Sequence, residues 1–307
     1  MQAECTLIID SCCDLPYSIV NREGVYLVEF PYLFGAEEHL DDLYRTASAH
    51  GFFERMRKGE QPTTAQVPIP AYMAAFEWAA AQGKPCVFLG FSSALSGSFS
   101  TACLLADQAR AAHPGFELHM VDTKLASVAE ALLIHDALDQ RDKGLSAQEL
   151  AHWAEEARYF VNALFMVDDL ESLRRGGRIP DMVASAGSKL DVKPLLSIDL
   201  EGGLTLKGVA RGRKKGIKQL AEYYAQRVDR DVPMQCVIIG DADCPKDASR
   251  LIDAIGQEEA LFLKCSIGPV IGSHVGPDML AVVFWGRDRR EDLSVADRIA
   301  RRVKNEG

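Results

Sequence analysis

Cys86-Val-Phe-Leu-Gly-Phe-Ser-Ser-Ala-Leu-Ser-Gly-Ser-Phe99, continued by a helix-forming run to Ala112 and then by Glu117-Leu-His-Met-Val121, decides the fold. Cys86 to Leu89 is a short apolar run of strand length, and the segment from Phe99 to Ala112 has helical composition. Pro114-Gly115 stops that helix before the next strand. Strand, helix and strand at this spacing imply parallel neighbours in one sheet. Upstream the alternation repeats: Thr6 to Ile9 and Tyr26 to Phe30 read as strands, and Ala71 to Gln82 as a helix stopped by Gly83. Downstream, Ser127 to Arg141 and Ser146 to Ala157 read as helices, the second opening with the capping-box pattern Ser146-Ala-Gln-Glu149.

The second half mixes its elements differently. Asn162 to Val167 is a strand, and Lys193 to Ile198 and Leu204 to Lys207 flank the hairpin turn Glu201-Gly-Gly203. A helix from about Gly216, the strand Gln235 to Ile239, the helix Asp247 to Ile255 and the strand Leu261 to Cys265 follow. The expected fold class is α/β: an N-terminal three-layer α/β domain with a parallel sheet, residues 1–160, plus a C-terminal α+β domain with a mixed sheet, residues 161–307. Asp292 to Asn305 reads as a closing charged helix on the surface of the second domain.

Composition narrows the classes of function. A formal charge of −10 argues against nucleic acid as the main partner, because neutralising phosphates needs a basic surface. No apolar run is long enough to span a bilayer, and the start of the chain lacks a basic region leading into a signal core. The eight cysteines show no CxxC and no metal spacing, which points to a reducing cytoplasm. Neither a GxxxxGK[ST] loop nor a GxGxxG after a strand is present, so a nucleotide site has no support. Asp168-Asp169 is thin support for a metal, and none is expected.

Polar residues concentrate in six places. Asp10-Ser-Cys-Cys-Asp-Leu-Pro16 follows the first strand, where Asp14 or Ser11 is expected to cap a helix. Pro62-Thr-Thr-Ala-Gln-Val-Pro68 reads as a hydroxyl-rich turn. Ser92, Ser93, Ser96 and Ser98 crowd the start of a helix, a place competent for an anion. Arg178 follows Gly176-Gly177 and precedes an apolar residue, which suits a surface charge poorly, and Arg211-Gly-Arg-Lys-Lys215 puts cations at a helix start. Finally Ile267-Gly-Pro-Val-Ile-Gly-Ser-His-Val-Gly-Pro-Asp-Met279 sets His274 in a glycine-dense loop before the run Leu280 to Phe284. A buried structural histidine needs none of that glycine. The chemistry on offer is the holding of an anion by hydroxyls and an imidazole. A serine hydrolase built from Ser96, His274 and Asp14 or Asp169 is an alternative, although no GxSxG elbow exists. A lipid-sensing regulatory module that binds a protein through Arg211 to Lys215 is another.

Taken in register, these segments resemble the DegV family of bacterial fatty-acid-binding proteins from Leu7 to about Phe284. The carrying motifs are Asp10 to Pro16, Thr63-Thr-Ala-Gln66, Ser92-Ser-Ala-Leu-Ser-Gly97, Val121-Asp-Thr123, Asp169 to Ile179, Lys193-Pro-Leu-Leu196, Arg211 to Lys215 and the His274 loop. The resemblance implies two domains with one long-chain fatty acid between them and no other cofactor. It implies a carboxylate held by Thr64, Ser96 and His274, with Arg178 and Arg211 near the carboxylate end or docking a partner. It further implies a non-catalytic carrier whose partner, a fatty acid kinase, makes an acyl phosphate for phospholipid synthesis. Three departures stand out: Ala65-Gln66-Val67 where S-Q-P is usual, Ser98-Phe99 in place of T-Y, and Ala126-Ser-Val-Ala-Glu-Ala131 where glycines are common. The expected cavity walls are Phe30, Leu33, Phe34, Leu89, Phe91, Leu95, Phe165, Met166, Val270, Ile271 and Met279.

Overall fold

The computed structural model describes residues 3–179, 191–232 and 234–292. The expected helix from Asp292 to Asn305 lies outside the described residues beyond its first position. In chain order the strands are β1 (Thr6–Asp10), β2 (Val25–Val28), β3 (Pro31–Phe34), β4 (Glu37–Leu40), β5 (Pro62–Thr64), β6 (Cys86–Gly90), β7 (Leu118–Asp122), β8 (Val161–Met166), β9 (Val192–Ile198), β10 (Leu204–Arg211), β11 (Cys236–Asp241), β12 (Leu261–Ser266) and β13 (Leu280–Trp285). The α-helices are α1 (Tyr17–Val20), α2 (Ala49–Arg57), α3 (Ile69–Ala81), α4 (Ser98–Ala112), α5 (Val128–Asp142), α6 (Ala147–Ala157), α7 (Glu171–Arg175), α8 (Arg213–Arg227), α9 (Pro245–Ile255) and α10 (Pro269–Val275).

The first sheet has the order β2-β1-β6-β7 and every pairing in it is parallel. Its central strands β1 and β6 are buried on both faces, as a sheet covered by helices requires, while the edge strands β2 and β7 are part-buried. The second sheet, β10-β9-β8-β13-β11-β12, is mixed: β11 and β12 run parallel and the other pairs antiparallel. All strands of the first sheet precede residue 123, and all strands of the second follow residue 160. The α/β class, parallel sheet then mixed sheet, is therefore as the alternation of elements indicated. So are the capping box of α6, in which Ser146 and Glu149 exchange both bonds, and the hairpin that pairs Ile198 with Leu204.

A third, small antiparallel sheet, β4-β3-β5, departs from expectation. Thr64 stands on its strand β5, opposite Tyr32, rather than in a free turn. His274 likewise sits on the short helix α10 rather than in a loop. Pro269 takes the first helical position, and Gly276, at φ 76°, ends the helix after only two turns.

Helix α5 decides where the two sheets meet. Ten of its fifteen residues are buried, on all sides, including Leu132, Leu133, Ile134 and Leu138. It packs on β8, β11 and β13 of the second sheet and also on α6, which covers β6 and β7 of the first. On the far face of the second sheet, α8 and α9 close over Leu164, Met166, Val237, Ile239, Leu280, Val282 and Phe284.

Candidate functional site

A cavity of about 1000 Å³, counting its open mouth, lies between the two sheets. Side chains alternate faces along a strand, so β8 sends Ala163 and Phe165 into the cavity and Leu164 and Met166 to the opposite core. On β13, Ala281 and Val283 face the cavity while Leu280, Val282 and Phe284 face α8 and α9. Ala126, Ser127, Val128 and Ala129 of the α5 N-terminus, Ile198 and Leu204 of the hairpin, Leu173 of α7 and Cys12 complete much of the wall. Of the expected wall residues, Phe30, Phe91, Leu95, Phe165, Val270, Ile271 and Met279 are there. Leu33, Phe34, Leu89 and Met166 are not. Phe34 packs on Phe52 beneath the Arg55 guanidinium, and Met166 is on the wrong side of its pleat. The small residues Ala163 and Ala281, which sequence reasoning missed, make the space; only their strand parity signals it.

Polar groups collect where the wall meets solvent. Thr64 from β5, Ser96 from the loop after β6, His274 from α10 and Arg178 from the segment after α7 all border the same cavity, with Ala65, Gln66 and Gly97 exposed beside them. Thr64 Oγ1 and His274 Nε2 are hydrogen-bonded at 2.9 Å. His274 Nδ1 is buried without a partner among the described residues and lies so close to Gly176 that a Cβ there would come within 2.2 Å of it. Burial, aided by the positive charges of Arg178 and Arg175, lowers the imidazole pKa to about 4, so the ring is neutral at physiological pH. With no acceptor at Nδ1, we assign the ring hydrogen to Nε2, donating to Thr64. The threonine hydroxyl is then free to donate onward.

Ser96 Oγ accepts from the Ser98 N–H at 3.2 Å at the opening of α4, which leaves its own hydrogen available. A Cβ on Gly97 would stand 2.6 Å from Nε2 of the exposed Gln66 side chain, which would have to swing aside. Arg178 donates from Nε to the Leu95 carbonyl at 3.2 Å and makes a close contact to the Gly176 carbonyl. It is half-buried with no carboxylate partner among the described residues, and burial lowers its pKa. Arg211 is exposed at the end of β10, outside the cavity lining, so the structure does not bring it to the other four.

The hydrolase alternative is not assembled. His274 bonds Thr64 rather than Ser96, and no carboxylate among the described residues orients its other nitrogen. Asp169 accepts from the Glu171 N–H at 2.8 Å, and Asp14 is engaged elsewhere. Nor does Asp14 or Ser11 cap a helix start: Asp10 takes the Cys12 N–H, and Ser11 accepts from Phe30. No cluster of three metal-ligating side chains occurs among the described residues.

A parallel sheet and a mixed sheet closing on an apolar cavity with one polar rim define a class of two-sheet α/β proteins built around an internal site. Within that class the chain belongs to the DegV family, whose model, described as "Uncharacterised protein, DegV family", matches residues 4–287. A DegV domain-containing protein of Clostridium perfringens is 33% identical over 282 residues, covering 91% of this chain and 97% of that one. A solved DegV family protein from Thermus thermophilus, described for its fatty acid binding, superimposes with a TM-score of 0.79 at 27% identity, covering 92% of this chain and 100% of that one. DegV of Bacillus subtilis, described as a fatty acid binding protein, gives 0.79 at 24% identity over 93% and 100%, a likeness of fold.

Proposed function

We propose that this protein binds a long-chain fatty acid between residues 1–160 and 161–307, its two domains, with the acyl chain in the cavity and the carboxylate at Thr64, Ser96 and His274. The observation that carries this reading is the form of the cavity: apolar along its walls, with hydroxyls, a neutral imidazole and a guanidinium gathered at one rim. Burying an acyl chain gains about 0.8 kcal/mol per CH₂, so a chain of about sixteen carbons gains on the order of 10 kcal/mol before ordering costs. That supplies affinity. The polar rim fixes which end stays outward, because a carboxylate is costly to bury unless hydrogen-bonded. Thr64 and Ser96 each have a hydrogen to give, and Arg178 supplies the positive charge that the neutral imidazole does not. The descriptions of the Thermus and Bacillus relatives as fatty acid binders support the same ligand.

With the carboxylate at the rim, the protein is a carrier that presents it to a fatty acid kinase in the cytoplasm, and exposed Arg211 belongs to the docking surface. No helix among the described residues is long and apolar enough to cross a membrane, and their cysteines are unpaired, in keeping with that setting. Mass spectrometry of the natively purified protein and of its organic extract tests the ligand. One fatty acid per chain is the expected result. Protein that carries none and takes up none when it is added would end the lipid reading, and failure of any added fatty acid kinase to phosphorylate the bound acid would end the carrier role alone.

A further inference from the structure

Asp14 lies far from the rim in sequence and is not in the cavity wall, yet it touches both parts of the site. It is 3% exposed and adopts a left-handed φ of 54° at the end of the turn after β1. One carboxyl oxygen, Oδ1, accepts from the Gly268 N–H at 2.9 Å, directly beneath the helix that carries His274. The other, Oδ2, pairs at 2.5 Å with the hydroxyl of Ser127, a residue of the cavity wall. Ser127 is itself held in a left-handed conformation, φ 54°, by its N–H bond to the Cys12 carbonyl. A second fully buried carboxyl, Asp41, meets the same glycine: a Cβ on Gly268 would be 2.5 Å from Asp14 Oδ1 and 2.9 Å from Asp41 Oδ2. Asp41 Oδ2 has no hydrogen-bond partner among the described residues. Two carboxyls so close and so buried disfavour each other's charge. Burial and the neighbouring Asp41 raise the Asp14 pKa.

We propose that Asp14 is a positioning residue of the site, fixing the histidine helix to the acyl-chain wall through Gly268 and Ser127 so that His274 holds the Thr64 hydroxyl toward the ligand carboxylate. The proposal rests on the fatty-acid reading above. Asp14 accepts from the Gly268 N–H with one oxygen and from the Ser127 hydroxyl with the other. Asparagine can keep both contacts, accepting from Gly268 with its carbonyl and donating from its amide to the Ser127 oxygen, and it tolerates a left-handed φ. Alanine provides neither bond.

The test compares hexadecanoic acid with hexadecan-1-ol on the full chain, since the alcohol keeps the acyl burial and lacks the carboxylate. The readout is the ratio of the two affinities in wild type, Asp14→Ala, Asp14→Asn, His274→Ala and the Asp14→Ala/His274→Ala double variant. The expected result is a ratio reduced about tenfold in Asp14→Ala, restored to within about twofold in Asp14→Asn, and no lower in the double variant than in His274→Ala. Equal weakening of acid and alcohol, or effects that add to His274→Ala, would make Asp14 merely structural and overturn the proposal. If Asp14→Ala does not fold, Ser127→Ala removes one of the two bonds instead. A lowered ratio there supports the proposal and an unchanged one overturns it. A wild type that binds neither probe would sink the fatty-acid reading itself, whereas a wild type with a normal acid preference that Asp14→Ala preserves sinks only this step.

Discussion

The two faces of the mixed sheet are built from alternate residues of the same strands and have opposite fates. Leu280, Val282 and Phe284 of β13 interlock with α8 and α9, where a Cβ on Gly216 would fall 2.1 Å from Met166 Sδ. Ala281 and Val283, their immediate neighbours, look into the cavity with Ala163. One face spends its apolar area on stability and the other leaves it lining a cavity. A chain can thus carry a large internal cavity without weakening its foundation, provided small residues fall on one strand parity only.

The largest test of that contrast is Phe284→Ala on the packed face, which should lower unfolding free energy by about 3–5 kcal/mol in a denaturant titration. A loss below about 1 kcal/mol would mean that this face is not the foundation. Next comes the polar rim. Because the folded His274 pKa is depressed to about 4, the unfolded chain takes up a proton below the ordinary histidine range that the folded chain refuses. Its contribution is present above about pH 6.5 and is lost as pH falls toward 4, by up to about 3 kcal/mol. Asp10 and Asp41, raised to about 7 by burial, act in the opposite sense, losing stability as pH rises toward 7. The difference between wild type and His274→Gln, measured at pH 6.5 and pH 4, isolates the histidine; an equal difference at both would refute the shift.

Filling the guest face should do the reverse of emptying the packed one. Ala281→Leu is expected to cut uptake of a sixteen-carbon acid by about tenfold while changing ligand-free stability by under about 1.5 kcal/mol. Unchanged uptake would show that the acyl chain runs elsewhere. Smallest is Thr64→Val, which removes the hydrogen bond to His274 Nε2. It should weaken acid binding by about three- to tenfold and leave the alcohol unaffected, as the loss of about one hydrogen bond predicts. Equal loss for both ligands would place Thr64 in the wall and not at the carboxylate.

Much of this was legible in the sequence, for identifiable reasons. Each strand of the parallel sheet is a dense apolar run between turn signals, and the α6 cap and the β9–β10 hairpin are local in chemistry. The small sheet was hidden because β5 is three residues long and two of them are threonines. The helix of His274 was hidden by glycines at 268, 272 and 276, which signal turns yet here allow close packing: a Cβ on Gly272 would strike Phe53 at 2.8 Å. Thr64, Ser96, His274 and Arg178 do share one cavity, and Arg211 does not. Met166 could have been rejected from the wall by strand parity with Phe165. The Asp14 contacts span 113 and 254 residues, and no local pattern announces bonds of that separation.

Helix α5 belongs by sequence to the first half, yet its side chains pack on strands β8, β11 and β13 of the second. A fragment cut near residue 160 would carry that helix with Leu132, Leu133 and Ile134 stripped of part of their cover, and the complementary fragment would expose a bare sheet face. The halves are therefore obligate companions, and the protein should melt in a single transition and resist expression as separate pieces.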